Sequence, residues 1–220
     1  MFAVRGYQIF LAGRNTDELS RLAADITLRF SVPVRFASFD VTQLDTSFIF
    51  FEQVLATVGV LDGVLMAVGL MEATASMAEL IAANFSGPAL ILKACADYFA
   101  SRKRGFIIGL SSVAGDRGRR TNYVYGASKS ALTTYLQGLR SQLCPYGVQV
   151  LTVKLGLIDT KMTFGTTYPR WLMLSPSSAA KKIVTAFEQK KETVYIPKRW
   201  RLIMWVLRLI PERIFKYSKI

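Results

Sequence analysis

The chain contains no histidine among its 220 residues and only two cysteines, Cys95 and Cys144. The absence of histidine excludes imidazole acid–base catalysis and any zinc site with histidine ligands. Two cysteines are too few for a disulfide framework, and both lie in segments with helical, partly apolar patterns. We therefore expect both to be reduced packing residues, and we expect no metal site.

Acidic residues are also scarce, with 15 Asp and Glu against 28 Lys and Arg, a formal net charge of +13. The excess is concentrated at the end of the chain, where residues 181–220 hold eleven Lys and Arg against three Glu. Such a segment attracts both anionic membrane surfaces and nucleic acid. The chain does not open on a convincing secretory signal, so a cytoplasmic location is expected.

Hydrophobic residues make up 51% of the sequence, enough for one domain with a substantial core. Short apolar runs alternate with amphipathic segments, which predicts an α/β fold with a parallel sheet covered on both faces. The predicted strands are 7–12, 34–39, 61–69, 106–110, 148–154 and 193–196. The predicted helices are 16–30, 46–58, 77–100, 123–144, 176–189 and 199–210. We expect this domain to cover 1–197, followed by a basic C-terminal helical segment, 198–220.

A serine, a tyrosine and a lysine stand at spacings that suit proton transfer to a carbonyl. Ser112 would end a buried strand, and Tyr125 and Lys129 are four residues apart in a helix, so both project from one face. An ammonium group one turn away favours the tyrosinate, which should lower the pKa of Tyr125. The Ser112 hydroxyl can hold a substrate oxygen as charge develops on it. A tyrosine and a lysine at this spacing are usually a packed ring beside a solvated charge. The prediction of a catalytic site therefore depends on the serine, the tyrosine and the lysine occurring together.

The order and spacing of these three residues resemble the short-chain dehydrogenase/reductase family. Asn84, in Ala83-Asn84-Phe85-Ser86-Gly87, matches the fourth catalytic position of that family. The resemblance implies a Rossmann-like, doubly wound sheet and a nicotinamide-dependent oxidoreductase. It also implies that Tyr125 transfers the proton and Lys129 holds the nicotinamide ribose. Ser112 would orient the substrate, and Asn84 would support a water that links Lys129 to solvent.

The same resemblance suggests which cofactor is bound. Arg14 follows the first predicted strand, where family members that use NAD carry an acidic residue. A guanidinium suits the 2′-phosphate, so NADP(H) is favoured over NAD(H), with a solvated arginine at a turn as the alternative. Asp40 and Val41 match the pair that contacts adenine, although a turn or helix-cap role for Asp40 stays open.

Two further loops match the cofactor side with departures. Ala67-Val68-Gly69 stands where the family often has Asn-Asn-Ala-Gly, and its small residues still permit close approach. Leu155-Gly156 replaces the usual Pro-Gly, and Thr160 follows as in the family. The cofactor-binding residues that the resemblance implies are Arg14, Asp40, Val41, Ala67, Gly69, Tyr125, Lys129, Gly156, Ile158 and Thr160.

One element of the family pattern has no counterpart. The family begins with a strand and a glycine-rich turn, whereas residues 1–6 look like the end of the helix that follows that turn. We expect about 20–25 residues to be absent. In the family the first strand lies between those at 7–12 and 61–69, so both of these strands should have an unpaired edge.

The C-terminal segment is basic, aromatic and aliphatic. Its longest uncharged run, 202–207, is too short to span a bilayer. Trp, Leu and Ile beside Arg and Lys suit a helix in the headgroup region, so an anionic membrane surface is favoured over nucleic acid. A helix that covers the substrate pocket or packs in a dimer interface is the alternative.

This ending and the arginine-rich loop before Tyr125 resemble one branch of the family, the reductases of decaprenylphosphoryl-2-keto-ribose. The resemblance implies a lipid-linked keto-sugar whose phosphate would bind Arg117, Arg119 and Arg120. The alternative is that these arginines belong to a solvated loop.

The leading hypothesis is an NADPH-dependent carbonyl reductase that acts on a lipid-linked substrate at the inner face of the cell membrane, with no nucleic-acid partner. One alternative is a soluble reductase of a small ketone or alcohol. Another is an inactive interaction protein that keeps the fold. A homodimer or homotetramer through the helices at 77–100 and 123–144 is expected from the resemblance alone.

Overall fold

Parallel strands alternate with helices throughout the part of the chain that the structure describes, as the sequence predicted. The computed structural model describes residues 1–71, 74–163 and 170–218. The strands are β1 (Ile9–Gly13), β2 (Val34–Ser38), β3 (Gly63–Met66), β4 (Phe106–Ser112), β5 (Gln149–Leu155) and β6 (Thr193–Ile196). The helices are α1 (Thr16–Phe30), α2 (Ser47–Val58), α3 (Met77–Ile81), α4 (Gly87–Arg102), α5 (Tyr123–Leu143), α6 (Pro176–Glu188), α7 (Arg199–Leu209) and α8 (Glu212–Phe215).

The strands form two sheets. β1 pairs in parallel with β2, and β3, β4, β5 and β6 pair in parallel in that order. Within the described residues β1 and β3 belong to different sheets, and a cavity of about 420 Å³ lies between them. Phe10 and Ala12 of β1 and Val64 and Leu65 of β3 line this cavity. Its place is the one where the sequence predicted two unpaired strand edges.

Alternate residues of the larger sheet enter two separate cores. Ile107 packs with α4 and α5, in a cluster that includes Leu92 and Leu136. The next residue, Ile108, packs on the opposite face with Ile183 of α6. Because successive side chains of a strand point to opposite faces, this pattern covers both faces of the sheet with helices. The doubly wound architecture is therefore confirmed.

Local sequence signals account for where several helices begin. Asn15 caps α1 by accepting a hydrogen bond from the Glu18 backbone N–H, and Ser175 caps α6 in the same way. Ser76 and Glu79 form a reciprocal capping box at the start of α3. These caps satisfy N–H groups that the first helical turn leaves without partners.

The C-terminal helices pack on the domain. Trp200 and Met204 of α7 are buried against Val113, which lies beside the end of β4. Of the predicted segment 198–220, the last two residues lie outside the described residues. Across the described ranges, no helix has both the length and the apolarity needed to cross a bilayer.

The two cysteines differ in environment. Cys95 is buried in the core, and burial raises the pKa of its thiol to about 12. Cys144 is exposed at the end of α5. The expectation that both are packing residues is therefore right only for Cys95.

Candidate active site

Ser112 is held at the carboxyl end of β4. A short helical turn, Val113–Asp116, follows it, and the Ala114 N–H donates to the Ser112 hydroxyl oxygen over 3.1 Å. A Cβ on Gly126 would lie 2.8 Å from the Ala114 carbonyl oxygen. Only glycine permits this approach, which brings the start of α5 against the turn that carries Ser112.

A buried hydrogen-bond pair fixes α5 on the strand. The Ser111 hydroxyl donates to the Lys129 carbonyl oxygen over 2.9 Å and lies 2.7 Å from the Thr133 hydroxyl. Ser111 and Thr133 were not singled out in the sequence. They hold the helical turn of Lys129 beside the end of β4.

Tyr125 lies at the start of α5, half-buried, with the Ser112 side chain near enough to act on its pKa. Burial raises the pKa of the phenol, while the Ser112 hydrogen bond and the charge of Arg119 act in the opposite direction. The sequence predicted a lowered pKa caused by Lys129. This prediction is wrong for the chain alone, because desolvation outweighs the groups that stabilise the phenolate.

Lys129 is almost fully buried, with 3% of its surface exposed. Its ammonium donates to the Val68 carbonyl over 3.0 Å and to the Leu110 carbonyl over 3.3 Å. It lies 5.9 Å from the centroid of the Tyr125 ring. Burial lowers the pKa of Lys129 from 10.5 to about 8. The lysine is thus held between the ends of β3 and β4, beside the tyrosine.

The lowered pKa of Lys129 makes stability depend on pH. Between the folded value of about 8 and the ordinary 10.5, the unfolded chain holds a proton that the folded chain has lost. Stability therefore rises with pH across this window. Relative to Lys129→Met, the wild type should gain about 2–3 kcal/mol in free energy of unfolding between about pH 7 and about pH 10. Denaturant unfolding at several pH values measures this, with Lys182→Met on α6 as the control. A difference that stays constant with pH would contradict the assignment.

Asn84 is fully buried within a π-helical turn, Ala82–Ser86. This turn interrupts the helix predicted over 77–100 and separates α3 from α4. The Asn84 side chain accepts from the Leu70 N–H over 3.0 Å and donates to the Leu70 carbonyl over 2.8 Å. It therefore clamps the segment that follows β3. A Cβ on Gly69 would lie 3.6 Å from the Lys129 ammonium and 3.7 Å from the Asn84 amide oxygen, so these residues meet.

Five of the predicted cofactor residues line one cavity, the one between β1 and β3. They are Arg14, Asp40, Val41, Ala67 and Gly69. Arg14 and Asp40 meet because the carboxyl ends of β1 and β2 lie along one edge of their sheet, and Ala67 and Gly69 follow β3 on the other side of the cavity. Much of the remaining lining is apolar and includes Phe10, Phe51 and Ile91.

The side chain of Asp40 is held in place by hydrogen bonds within its own loop. One carboxylate oxygen accepts from the Thr42 N–H over 2.9 Å and from the Thr42 hydroxyl over 2.7 Å. These hydrogen bonds, with a smaller contribution from the charge of Arg14, lower the pKa of Asp40. The turn role that the sequence left open is therefore present, within the wall of the same cavity.

Comparison with known proteins decides the family. The family described as short chain dehydrogenase matches residues 1–168. An uncharacterized oxidoreductase of Mycobacterium tuberculosis is 29% identical over 218 residues, 96% of this chain and 87% of that protein. One from Staphylococcus epidermidis is 30% identical over 193 residues, 84% of this chain and 82% of that protein. The chain belongs to the short-chain dehydrogenase family.

Solved structures share the fold of this short-chain dehydrogenase. An alcohol dehydrogenase from Comamonas testosteroni, specific for bulky-bulky ketones, matches with a TM-score of 0.78 and 21% identity, covering 96% of this chain and 88% of that one. A short-chain dehydrogenase from Sphingobium yanoikuyae in complex with NADPH matches with a TM-score of 0.77 and 21% identity, covering 96% and 89%.

The remaining three predicted cofactor residues of the dehydrogenase lie beyond β5, apart from the five that line the cavity. A Cβ on Gly156 would lie 2.0 Å from the Trp200 indole nitrogen, so glycine is needed there for α7 to pack. Ile158 forms a bridge with Leu174, and the Thr160 N–H donates to the Thr163 hydroxyl over 3.1 Å. Met162, which the sequence did not single out, connects this loop to the cavity. Its methyl carbon lies 3.5 Å from the position of a Cβ built on Gly69.

The three loop arginines of the dehydrogenase have different surroundings. Arg117 donates to the Leu207 carbonyl of α7, pairs with Glu212 over 3.1 Å and lies 3.9 Å from the Phe215 ring centroid. Arg119 is half-buried and acts on the Tyr125 pKa, and Arg120 is exposed. Arg117 therefore ties the active-site loop to the C-terminal helices.

A polar cluster that the sequence did not reveal lies behind this loop. The side chains of Lys154 and Asp116, 11% and 3% exposed, pair over 2.5 Å. The Tyr195 hydroxyl donates to the second Asp116 oxygen over 2.7 Å, and burial together with the carboxylate raises the pKa of Tyr195. Because Asp116 stands four residues after Ser112, the cluster joins the serine turn to β5 and β6.

Proposed function

We propose that the chain is a nicotinamide-dependent carbonyl reductase in which Tyr125 is the proton donor. The observation that carries the proposal is the meeting of Ser112, Tyr125 and Lys129 at the carboxyl end of β4, with the Ser112 side chain acting on the pKa of the phenol. The raised pKa of Tyr125 keeps the phenol protonated near neutral pH. A protonated phenol suits donation to a carbonyl oxygen, so reduction is the proposed direction.

The described residues fit a nicotinamide dinucleotide. Arg14 and Asp40 supply charged groups at one part of the cavity, and Gly69 lies between this cavity and Lys129. Arg14 would hold a phosphate of the ribose, Asp40 and Val41 would lie against the adenine, and Lys129 would hold the nicotinamide ribose. When bound, the reduced nicotinamide supplies the hydride. Gly156, Ile158 and Thr160 are proposed to contact its other end.

The protein groups carry the proton and the developing charge. The Tyr125 phenol gives its proton to the carbonyl oxygen as the carbon is reduced, which leaves an alcohol and a phenolate. The Ser112 hydrogen bond and the positive charge of Arg119 stabilise that phenolate, since both lower the pKa of Tyr125. Asn84 orders the Leu70 backbone beside Lys129, and we propose that it also holds a water that links Lys129 to solvent.

We propose that NADP(H) is preferred to NAD(H), because Arg14 stands beside the cavity and can pair with a 2′-phosphate. Arg14→Ala should lower the ratio of kcat/KM for NADPH to that for NADH by about tenfold or more, from the loss of a charge-assisted hydrogen bond. Steady-state kinetics with both cofactors measures the ratio. Arg21→Ala, an exposed arginine on α1, should leave it unchanged. An equal ratio in wild type and Arg14→Ala would contradict the assignment.

We propose a lipid-linked keto-sugar as substrate, at the inner surface of the membrane. Arg119 and Arg120 in the loop before Tyr125 would receive the lipid phosphate. Arg117 is less suited to this role, because Leu207, Glu212 and Phe215 already engage it. A homodimer or homotetramer through α4 and α5 is proposed from family resemblance.

A soluble reductase of a small ketone or alcohol is the second candidate, supported by the fold shared with an alcohol dehydrogenase. Comparing turnover of a water-soluble ketone with that of a keto-sugar on a polyprenyl phosphate separates the two. Higher kcat/KM for the lipid-linked compound supports the first. No reduction of either compound, with NADPH bound and the protein folded, would favour an inactive interaction protein.

A further inference from the structure

Helix α7 carries two apolar stripes, and only one of them packs on the domain. The packed stripe is Trp200, Ile203, Met204 and Leu207, which join the cluster around Val113. The second stripe is exposed. Its residues, with their exposed fractions, are Leu202 at 65%, Trp205 at 60%, Val206 at 48% and Leu209 at 63%. The residues of each stripe have the spacing of one helix face, so the exposed residues form a continuous apolar surface along α7.

The exposed stripe has a basic edge, and further exposed apolar side chains follow α7. Ile214 and Tyr217 have 63% and 78% of their surface exposed. Arg201 and Arg208 are seven residues apart, so they share one side of α7, and Arg213 and Lys216 follow. We call this set the docking face; it comprises Leu202, Trp205, Val206, Leu209, Ile214 and Tyr217 with the basic residues Arg201, Arg208, Arg213 and Lys216.

Charge indicates what covers the docking face. Residues 198–218 hold six Lys and Arg against one acidic residue, Glu212, and this carboxylate already pairs with Arg117. We propose that the docking face binds an anionic lipid bilayer, with the apolar stripe at the level of the headgroups. Tryptophan and tyrosine favour that region, and the basic edge would meet lipid phosphates.

A second copy of the chain is a poorer occupant of this face. A two-fold interface places the same patch of both subunits together. It would bring the basic edges of two docking faces close to each other, and like charges oppose such contact. An anionic bilayer instead compensates those charges while it covers the apolar stripe.

Arg117 connects the docking face to the active site. It lies between Ser112 and Tyr125 in sequence and bonds to α7 and α8 through Leu207 and Glu212. Its guanidinium also covers the ring of Phe215, the buried residue of α8. If the face binds a bilayer, a carbonyl held in that bilayer would lie beside the loop that precedes the proton donor, Tyr125. The inference that docking serves catalysis rests on the proposed function.

Vesicle binding by the full chain tests the proposal. The protein should sediment with vesicles of phosphatidylcholine and phosphatidylglycerol, less at high salt, and much less with phosphatidylcholine alone. The double variant Trp205→Glu/Leu209→Glu should lose about tenfold or more of its affinity for these vesicles. The control Leu28→Glu/Phe48→Glu, at exposed apolar positions of α1 and α2, should bind like the wild type. Circular dichroism confirms that each variant is folded.

Three outcomes would overturn the proposal. The first is folded wild type that binds neither vesicle, and the second is a stripe variant that binds as well as the wild type. The third is a stripe variant that turns a dimer into a monomer in light scattering while the wild type does not bind vesicles, which would make the face a subunit interface. Reduction of a water-soluble ketone and of a keto-sugar on a polyprenyl phosphate is measured on the same samples by NADPH oxidation. Turnover of either compound without vesicle binding rejects the docking alone, and vesicle binding without turnover of either compound rejects the reductase alone.

Discussion

Tyr125→Phe should lower kcat for carbonyl reduction by about 10²–10⁴-fold, because the variant lacks the proton that the substrate oxygen must receive. The ring remains, so its packing at the start of α5 should persist. NADPH oxidation in the presence of a ketone gives kcat, and titration with NADPH gives the cofactor affinity. The affinity should stay within about twofold of the wild-type value, since the phenol oxygen is the only atom removed.

Tyr123→Phe is the matched control for this experiment. Tyr123 begins the same helix and is 66% exposed, so the loss of its hydroxyl should leave kcat unchanged. If Tyr125→Phe kept wild-type turnover, the assignment of the proton donor would be wrong. If both variants lost activity equally, the cause would lie in the start of α5 rather than in the chemistry of one phenol.

Asp116→Ala should destabilise the fold by about 3–5 kcal/mol, because it leaves the Lys154 ammonium buried without its carboxylate. The Tyr195 hydroxyl would lose its acceptor as well. Denaturant unfolding measures the free energy. The double variant Asp116→Leu/Lys154→Met removes both charges and should be markedly more stable than Asp116→Ala.

An exposed ion pair provides the comparison. Lys93 and Asp97 pair on the surface of α4, with side chains 55% and 57% exposed. Asp97→Ala should cost less than about 1 kcal/mol. A cost for Asp116→Ala as small as this would show that the buried pair does not hold the serine turn to β5.

Elements with local signals were predicted well from the sequence. Helix α1 has the predicted bounds because Asn15 supplies a cap and the apolar spacing defines one face. The helix predicted over 77–100 is instead divided by the π-helical turn around Asn84. Pro88, near the start of α4, was the available signal, because proline favours the first turn of a helix over its interior.

The grouping of Arg14, Asp40 and Gly69 could be predicted because parallel strands bring their carboxyl ends together. The cluster of Asp116, Lys154 and Tyr195 could not, since its members are separated by 38 to 79 residues and follow no period. The direction of the Tyr125 pKa was predicted wrongly for a related reason. Spacing places an ammonium near the phenol, but burial depends on the packing of the whole domain.

The division of the strands into two sheets affects how cooperatively the molecule unfolds. β1, α1 and β2 are consecutive in sequence, β1 and β2 hydrogen-bond to each other, and β4 and β5 lie at the centre of the larger sheet. Among the residues that the structure describes, no strand ladder joins the β1–β2 unit to the larger sheet across the cavity. Such a unit can open and close by itself at a lower free energy than global unfolding. We therefore expect the backbone amides of the wall that carries Arg14 and Asp40 to exchange with solvent faster than those of the strand that carries Ser112.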